Sequence, residues 1–309
     1  DITSKTNPDL YAKIIDLVLY ETGVNLVHYK KNSIQRRIRR RMSITNRLTM
    51  DAYLELLGDD PKEVHDLARD AFIGVTGFFR DPKAFDALAE HLEQYLDRAR
   101  SGDEIRVWVP GCATGEEAYT IAMLFEEYQR KHGHSLDYRV FATDIGADPL
   151  GVARMGYYSS DAVVAVDQEI LGRYFRELAD GYAVVRRVRD HVIFSTHDLV
   201  RDAPFSKLDI ISCRNVLIYF DNELQQQVFD TFHYALKLHG LLMLGMSESN
   251  TQAENLFGPL APKHRIYQRL DAPNHRSRLP LLLTDTTRKI QKKTDSTPPP
   301  LESVEERLN

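Results

Sequence analysis

Nine consecutive residues, Val109 to Glu117 (VPGCATGEE), join a glycine turn to a pair of acids. Gly111 and Gly115 permit the sharp turn and leave room for a ligand against the backbone. The spacing is neither G-x-G-x-x-G nor G-x-x-x-x-G-K-[ST], so a dinucleotide fingerprint and a P-loop are both excluded. Glu116 and Glu117 would repel a pyrophosphate and attract an ammonium or a sulfonium. The turn therefore favours a cationic nucleoside over a phosphorylated one. Asp144 stands 29 residues after Gly115, at the end of a β-rich run. An acid in that place suits a two-pronged grip on ribose hydroxyls. It could instead cap the next helix, but Asp148, just before Pro149, is the better placed cap. Metal chemistry is not expected: the eleven histidines contain no H-x-x-x-H pair. Cys112 and Cys213 are read as small apolar fillers near the ligand, and two cysteines make neither a disulfide framework nor a cysteine zinc site.

These residues need a sheet to position them. Ile105–Val109, Tyr138–Thr143, Leu208–Ser212 and Gly240–Met246 read as strands. Glu116–Tyr128, a short piece around Pro149–Met155 and Asn222–Leu238 read as helices between them. Strands alternating with helices imply a parallel sheet covered on both faces, with ligands at the C-terminal strand ends. Between Tyr157 and His197 the alternation breaks. A helix near Gln168–Phe175 and strands at Tyr182–Val188 and His191–Ser195 suggest an antiparallel insertion. Upstream, Asp9–Tyr20, Met50–Leu57 and Lys62–Phe72 carry helical periodicity, so the first eighty or so residues read as all-helical.

Within that helical part, residues 29–42 (YKKNSIQRRIRRRM) hold Lys30, Lys31, Arg36, Arg37, Arg39, Arg40 and Arg41 and no acid. Ile34, Ile38 and Met42 form the apolar stripe of a helix, which leaves the arginines on its other faces. The whole chain of 309 residues nevertheless has a net charge of -5, which argues against wholesale nucleic-acid binding. No apolar run is long enough to span a membrane, and no secretory leader opens the chain, so a cytoplasmic location is expected. The expected organisation is a helical domain over 1–85, an α/β domain over 86–270 with the insertion at 157–197, and a Pro-rich linker or disordered tail over 271–309.

The motifs together carry a resemblance. GVTGFFRD (74–81), GCATGEEAYTIA (111–122), ATDI (142–145), SCRNVLIYFD (212–221) and GMSES (245–249) are similar, in order, to those of the CheR family of chemotaxis-receptor protein-glutamate methyltransferases. The resemblance covers about residues 8–270. It implies a Rossmann-like methyltransferase domain dependent on S-adenosylmethionine, with a small antiparallel β-subdomain inserted and an all-helical domain in front. It further implies cofactor contacts at Thr76, Arg80, Glu117, Asp144, Asp198, Leu199, Arg214 and Asn215. Gly74 replaces an asparagine found in some relatives, so that contact is either lost or made by the backbone. Arg80, Arg214 and Tyr219 are implied at the methyl end, where substrate and catalysis meet. Phe78 and Phe79 are read as packing. The implied partners are chemoreceptor cytoplasmic domains, docked by Arg36, Arg37 and Arg40, with no nucleic acid, no membrane insertion and a monomeric enzyme. A glutamate nucleophile, whose ordinary pKa is about 4.3, is already ionised at neutral pH, so no general base is expected. The alternatives are a nucleic-acid methyltransferase, which would show an [NDS]-P-P-[YF] turn where this chain has Ser212-Cys213-Arg214-Asn215, and a non-catalytic cofactor-sensing scaffold.

Overall fold

A computed structural model describes residues 8–71, 76–97, 104–133 and 135–272. Four helices, α1 (Pro8–Thr22), α2 (Lys31–Ile44), α3 (Met50–Asp59) and α4 (Pro61–Ala71), build the N-terminal part. Their apolar stripes meet in one core containing Ile14, Val18, Leu26, Ile34, Ile38, Tyr53, Leu57, Val64 and Leu67. Thr49 caps α3 by accepting from the Ala52 amide, so the α2–α3 turn is fixed locally. Helix α5 (Pro82–Leu96) packs Phe85, Leu88, Leu92 and Leu96 into the core of the sheet that follows.

That sheet is assembled from β1 (Ile105–Pro110), α6 (Glu116–His132), β2 (Tyr138–Asp144) and α7 (Ala147–Met155). The chain then runs through β3 (Tyr157–Tyr158), α8 (Ser160–Val163), α9 (Gln168–Tyr174), β4 (Phe175–Leu178), β5 (Gly181–Val184) and α10 (Arg186–Arg189) before returning as β6 (Val192–Thr196). Next come β7 (Leu208–Cys213), a 3-10 turn (Leu217–Tyr219), α11 (Asn222–Ala235) and β8 (Leu236–Leu244), and last the hairpin of β9 (Phe257–Ala261) and β10 (Ile266–Arg269). Seven strands lie in the order β6-β2-β1-β7-β8-β10-β9. The pairs β6/β2, β2/β1, β1/β7 and β7/β8 are parallel, whereas β10 is antiparallel to both β8 and β9. Buried residues fill β7 from end to end, as a strand covered on both faces requires. Strand order reverses at β1 and β7, which places the switch point beside Pro110 and Cys213.

The structure corrects several expected elements. The expected strand His191–Ser195 is not part of the insertion: from Val192 it forms β6 and pairs in parallel with β2, Phe194 opposite Ala142. The separate three-stranded sheet, β3-β5-β4, draws on Phe175–Leu178, of which Phe175 reads as the end of a helix and the rest as no element, because a four-residue run is too short to declare its period. Beyond Val184 the expected strand becomes the helical turn α10. The expected helix 222–238 stops at Ala235, and Leu236 turns extended (ψ 145°) to begin β8. Leu236, 3% exposed, pairs with Leu208 of β7, so tertiary pairing and burial override the local helical pattern there. The expected tail falls almost wholly outside the described residues, as does Gly74.

Candidate functional site

The C-terminal ends of β1, β2, β6, β7 and β8 converge on one basin. The glycine turn between β1 and α6 makes its floor. Gly111 (φ 69°) and Gly115 (φ 93°) both adopt left-handed backbone. A Cβ on Gly111 would collide with the Val216 side chain, and one on Gly115 would come within 2.8 Å of Ala153 Cβ. Here the glycines admit neighbouring protein, where the sequence suggests room for a ligand. Cys112 N–H donates to the Thr143 carbonyl at 3.0 Å, tying the turn to β2. Tyr158 of the inserted sheet donates its hydroxyl to the Thr114 carbonyl at 2.7 Å.

Asp144 ends β2 facing this turn. Its Oδ2 accepts from Ala113 N–H at 2.9 Å and its Oδ1 from Gly146 N–H at 2.8 Å. Asp148 is not the cap of α7; Gly146 holds that position and Asp148 lies in the first turn. Burial pushes the Asp144 carboxyl above its ordinary value, against these backbone donors. After β6, Asp198 closes a turn by accepting from the Val200 and Arg201 amides at 2.9 and 3.3 Å. Leu199 packs against the core around Trp108.

Glu117 is the acid of the basin that two side chains hold, and its own side chain stays 15% exposed. Ser212 donates to its Oε1 at 2.7 Å, and Arg214 Nη1 lies 3.3 Å from its Oε2. Burial raises its carboxyl, while Arg214 and Ser212 pull it back. Arg214 has a side chain only 1% exposed; it also pairs with Asp81 at 2.6 Å, donates to the Arg80 carbonyl at 2.8 Å and lies over the Phe85 ring. Its Nε finds no hydrogen-bond partner among the described residues. Thr76 hydrogen-bonds Glu116, whose carboxylate also receives the Thr114 hydroxyl at 2.7 Å. Phe78 packs edge-on to Tyr158 and Phe175, as its packing assignment requires. Arg80 is exposed at the rim.

The loop after β7 depends on a residue whose role the sequence does not announce. Glu248, 5% exposed, accepts from the amides of Gly245 (2.6 Å), Asn215 (3.0 Å) and Ile218 (3.3 Å). It pins the turn that carries Arg214, Asn215 and Tyr219. Asn215 is left-handed (φ 60°), and a Cβ on Gly245 would come within 2.8 Å of its amide. Phe79, Asp81 and Ala113 are also left-handed. Four non-glycine residues in this conformation around one basin is the kind of local strain that gathers at working sites. The only outward signals for Ser212, Asp81 and Glu248 are their places inside the SCRN, FFRD and GMSES motifs.

The helical part reaches the same rim. Lys30 N–H donates to the Tyr219 carbonyl at 2.8 Å, and Asp221 N–H donates to the His28 carbonyl at 3.0 Å. Helix α2 thus starts beside the site. Arg36 and Arg40 lie on its exposed side, and Arg37 is half-buried. Arg41 points inward: it meets Glu63 at 2.5 Å and Asp66 at 3.2 Å, and Glu63 also accepts from the Tyr53 hydroxyl at 2.8 Å. The cation run therefore contains one structural arginine.

Residues 9–71 match the CheR methyltransferase all-alpha domain, and residues 74–266 match the CheR methyltransferase SAM binding domain. The chain belongs to the CheR methyltransferase family. It is 33% identical over 262 residues to the chemotaxis protein methyltransferase of Escherichia coli, covering 80% of this chain and 86% of that protein. A chemotaxis protein methyltransferase of Borreliella burgdorferi is 31% identical over 258 residues, covering 80% of this chain and 90% of that protein. A 104.1 kDa protein of Rhodobacter capsulatus is 38% identical over 260 residues; these are 84% of this chain but 27% of that protein.

The donor set fits the family's cofactor. Glu116, Glu117, Asp144 and Glu248 are all held above their ordinary carboxyl values, chiefly by burial. Arg214 is the cation set among them, already paired to Asp81 and Glu117. Such a basin is short of positive charge and suits a ligand bearing an ammonium and a sulfonium. Burial also pushes the Cys112 and Cys213 thiols well up, so both remain un-ionised fillers. Among the described residues no group of acids, histidines and cysteines could hold a metal ion, and no helix is long and apolar enough to cross a membrane.

Proposed function

We propose that this CheR-family protein transfers a methyl group from S-adenosylmethionine to glutamate side chains of chemoreceptor cytoplasmic domains, forming methyl esters in the cytoplasm. The observation that carries the reading is the basin of carboxyls at the sheet's switch point, among them the half-buried Glu117 and Asp144, both held above their ordinary values by desolvation. S-adenosylmethionine, when bound, would supply an electrophilic methyl carbon on a sulfonium, which takes the C–S bond pair and departs as a neutral thioether. Glu117 holds the methionine ammonium, with Ser212 and Arg214 fixing its two oxygens. Asp144 takes the ribose hydroxyls, and Asp198 with Leu199 lines the adenine end. Arg214, enclosed between Asp81 and Glu117, serves the floor of the site. Arg80 and Tyr219 stand at the rim, where they orient the incoming carboxylate. That carboxylate is ionised at neutral pH, so orientation and partial desolvation are what the protein must add. The exposed Arg36 and Arg40 present an acidic receptor helix to the rim, with the half-buried Arg37 behind them. The test is incubation with methyl-labelled S-adenosylmethionine and a panel of receptor cytoplasmic domains. Label on receptor glutamates supports the reading; label on RNA or DNA instead, or none on any receptor, overturns it.

A further inference from the structure

The insertion returns to the sheet through α10, whose sequence Arg186-Arg187-Val188-Arg189 holds three cations in four residues. Val188 is buried, which leaves the three arginines exposed. Arg186 and Arg189 join Arg154, in the last turn of α7, around a cleft of about 360 Å³. Val192 and Phe194 of the edge strand β6 line it together with Tyr119 of α6. Asp190 is the one acid among the described residues of its lining. The guanidiniums are anchored. Arg189 donates to the Arg154 carbonyl at 3.1 Å and to the Tyr119 hydroxyl. That hydroxyl donates in turn to the Ala153 carbonyl at 2.7 Å. Arg154 donates to the Phe194 carbonyl at 3.2 Å, and Arg186 pairs with Asp190 at 3.2 Å. These bonds use one or two of the five N–H donors on each guanidinium. Three cations against one carboxylate leave two positive charges without a counter-charge in the cleft. Its sign is thus opposite to that of the carboxyl basin. Phe194 divides the two: it lines the cleft, and its ring lies 3.0 Å from where a Cβ on Gly115 would stand.

We propose that this cleft is a second ligand site, which takes the phosphate groups of a nucleoside polyphosphate. Guanidinium forks match phosphate oxygens two at a time, and one phosphate ester brings about two negative charges at neutral pH. A cleft of this size holds a nucleotide-sized ligand, for which Val192 and the Phe194 ring offer apolar surface. S-adenosylmethionine carries no phosphate, so the site is additional to the cofactor reading and stands or falls apart from it.

Calorimetric titration of the whole chain tests this with adenosine triphosphate, inorganic pyrophosphate and adenosine as probes. The triphosphate should bind once per chain, pyrophosphate should compete with it, and adenosine should not bind. Saturating S-adenosylhomocysteine should not displace the triphosphate. Arg186→Glu, at a side chain 90% exposed, should weaken triphosphate binding about tenfold or more and leave the melting temperature unchanged. Arg189→Ala should weaken it at least several-fold. Arg176→Glu makes the same charge change at an exposed residue outside the cleft lining and should bind as the parent does. Absence of triphosphate binding, or failure of pyrophosphate to compete, overturns the proposal. So does parental affinity in both Arg186→Glu and Arg189→Ala, or an equal loss in Arg176→Glu, which would mean diffuse attraction. Adenosine binding as tightly as the triphosphate, or displacement by S-adenosylhomocysteine, would put the ligand in the basin and overturn it as well.

Discussion

Asp144 is held by two backbone amides rather than by another side chain, so its orientation is set by the strand end and the glycine turn together. Removing its carboxylate should leave that turn tied through Cys112 to β2 and delete the ribose grip. Asp144→Ala is expected to cost about 1–3 kcal/mol of S-adenosylhomocysteine affinity, the size of a charge-assisted pair of hydrogen bonds. Calorimetry checks it, and unchanged affinity would remove Asp144 from the site. Glu117 differs in kind. Both its oxygens are engaged by Ser212 and Arg214, so it is aimed as well as desolvated. The sequence makes the type and spacing of Glu117 and Asp144 legible, because a glycine turn and a strand-end acid follow general rules of parallel sheets. The supporting residues are another matter. Glu248 works through three backbone amides brought from two segments of chain, and no local pattern marks such a partner.

At the scale of elements, α2 carries two kinds of arginine. Arg41 is folded into a buried cluster with Glu63, Asp66 and Tyr53 and belongs to the stability of the helical domain. Arg36 and Arg40 stay in solvent. Arg36→Glu with Arg40→Glu should therefore slow receptor methylation several-fold while leaving cofactor binding and melting temperature intact. Raising salt should imitate the loss in the parent, since screening shortens to about 3 Å at 1 M. Parental rates for the double variant at low salt would make this an ordinary solvated face. The periodicity of Ile34 and Ile38 reveals the helix and, carried to i+7, puts Arg41 on the same buried face, but the sequence does not show what pairs with a cation there. That pairing depends on α4, which brings Glu63 and Asp66 from more than twenty residues away. The same limit hides the sheet's edges. β6 looks like part of the insertion because its sequence neighbours are, and the β9–β10 hairpin has pairing partners that only the assembled sheet supplies.

For the whole molecule, the site couples ligand binding to pH. Carboxyls held above their ordinary values add to the stability of the ligand-free fold while protonated, and that contribution is lost as pH rises through the raised values. A bound cation favours their ionised forms and reverses the trend. The melting-temperature increase caused by S-adenosylhomocysteine should thus be larger at about pH 7.5 than at about pH 5, with protons released on binding in the acid range. An increase that grows as pH falls would contradict the charge pattern of the basin. The central claim, however, is the bond that is made. A carboxyl methyl ester releases its methyl as methanol in mild alkali, whereas a methylated amine or nucleobase does not. The most direct measurement is to label a receptor cytoplasmic domain with this protein and methyl-labelled S-adenosylmethionine, then expose the product to mild alkali. The account predicts that the label leaves as volatile methanol and that replacing the receptor's modified glutamates by alanine abolishes incorporation. Label that resists alkali, or that persists without those glutamates, would contradict it.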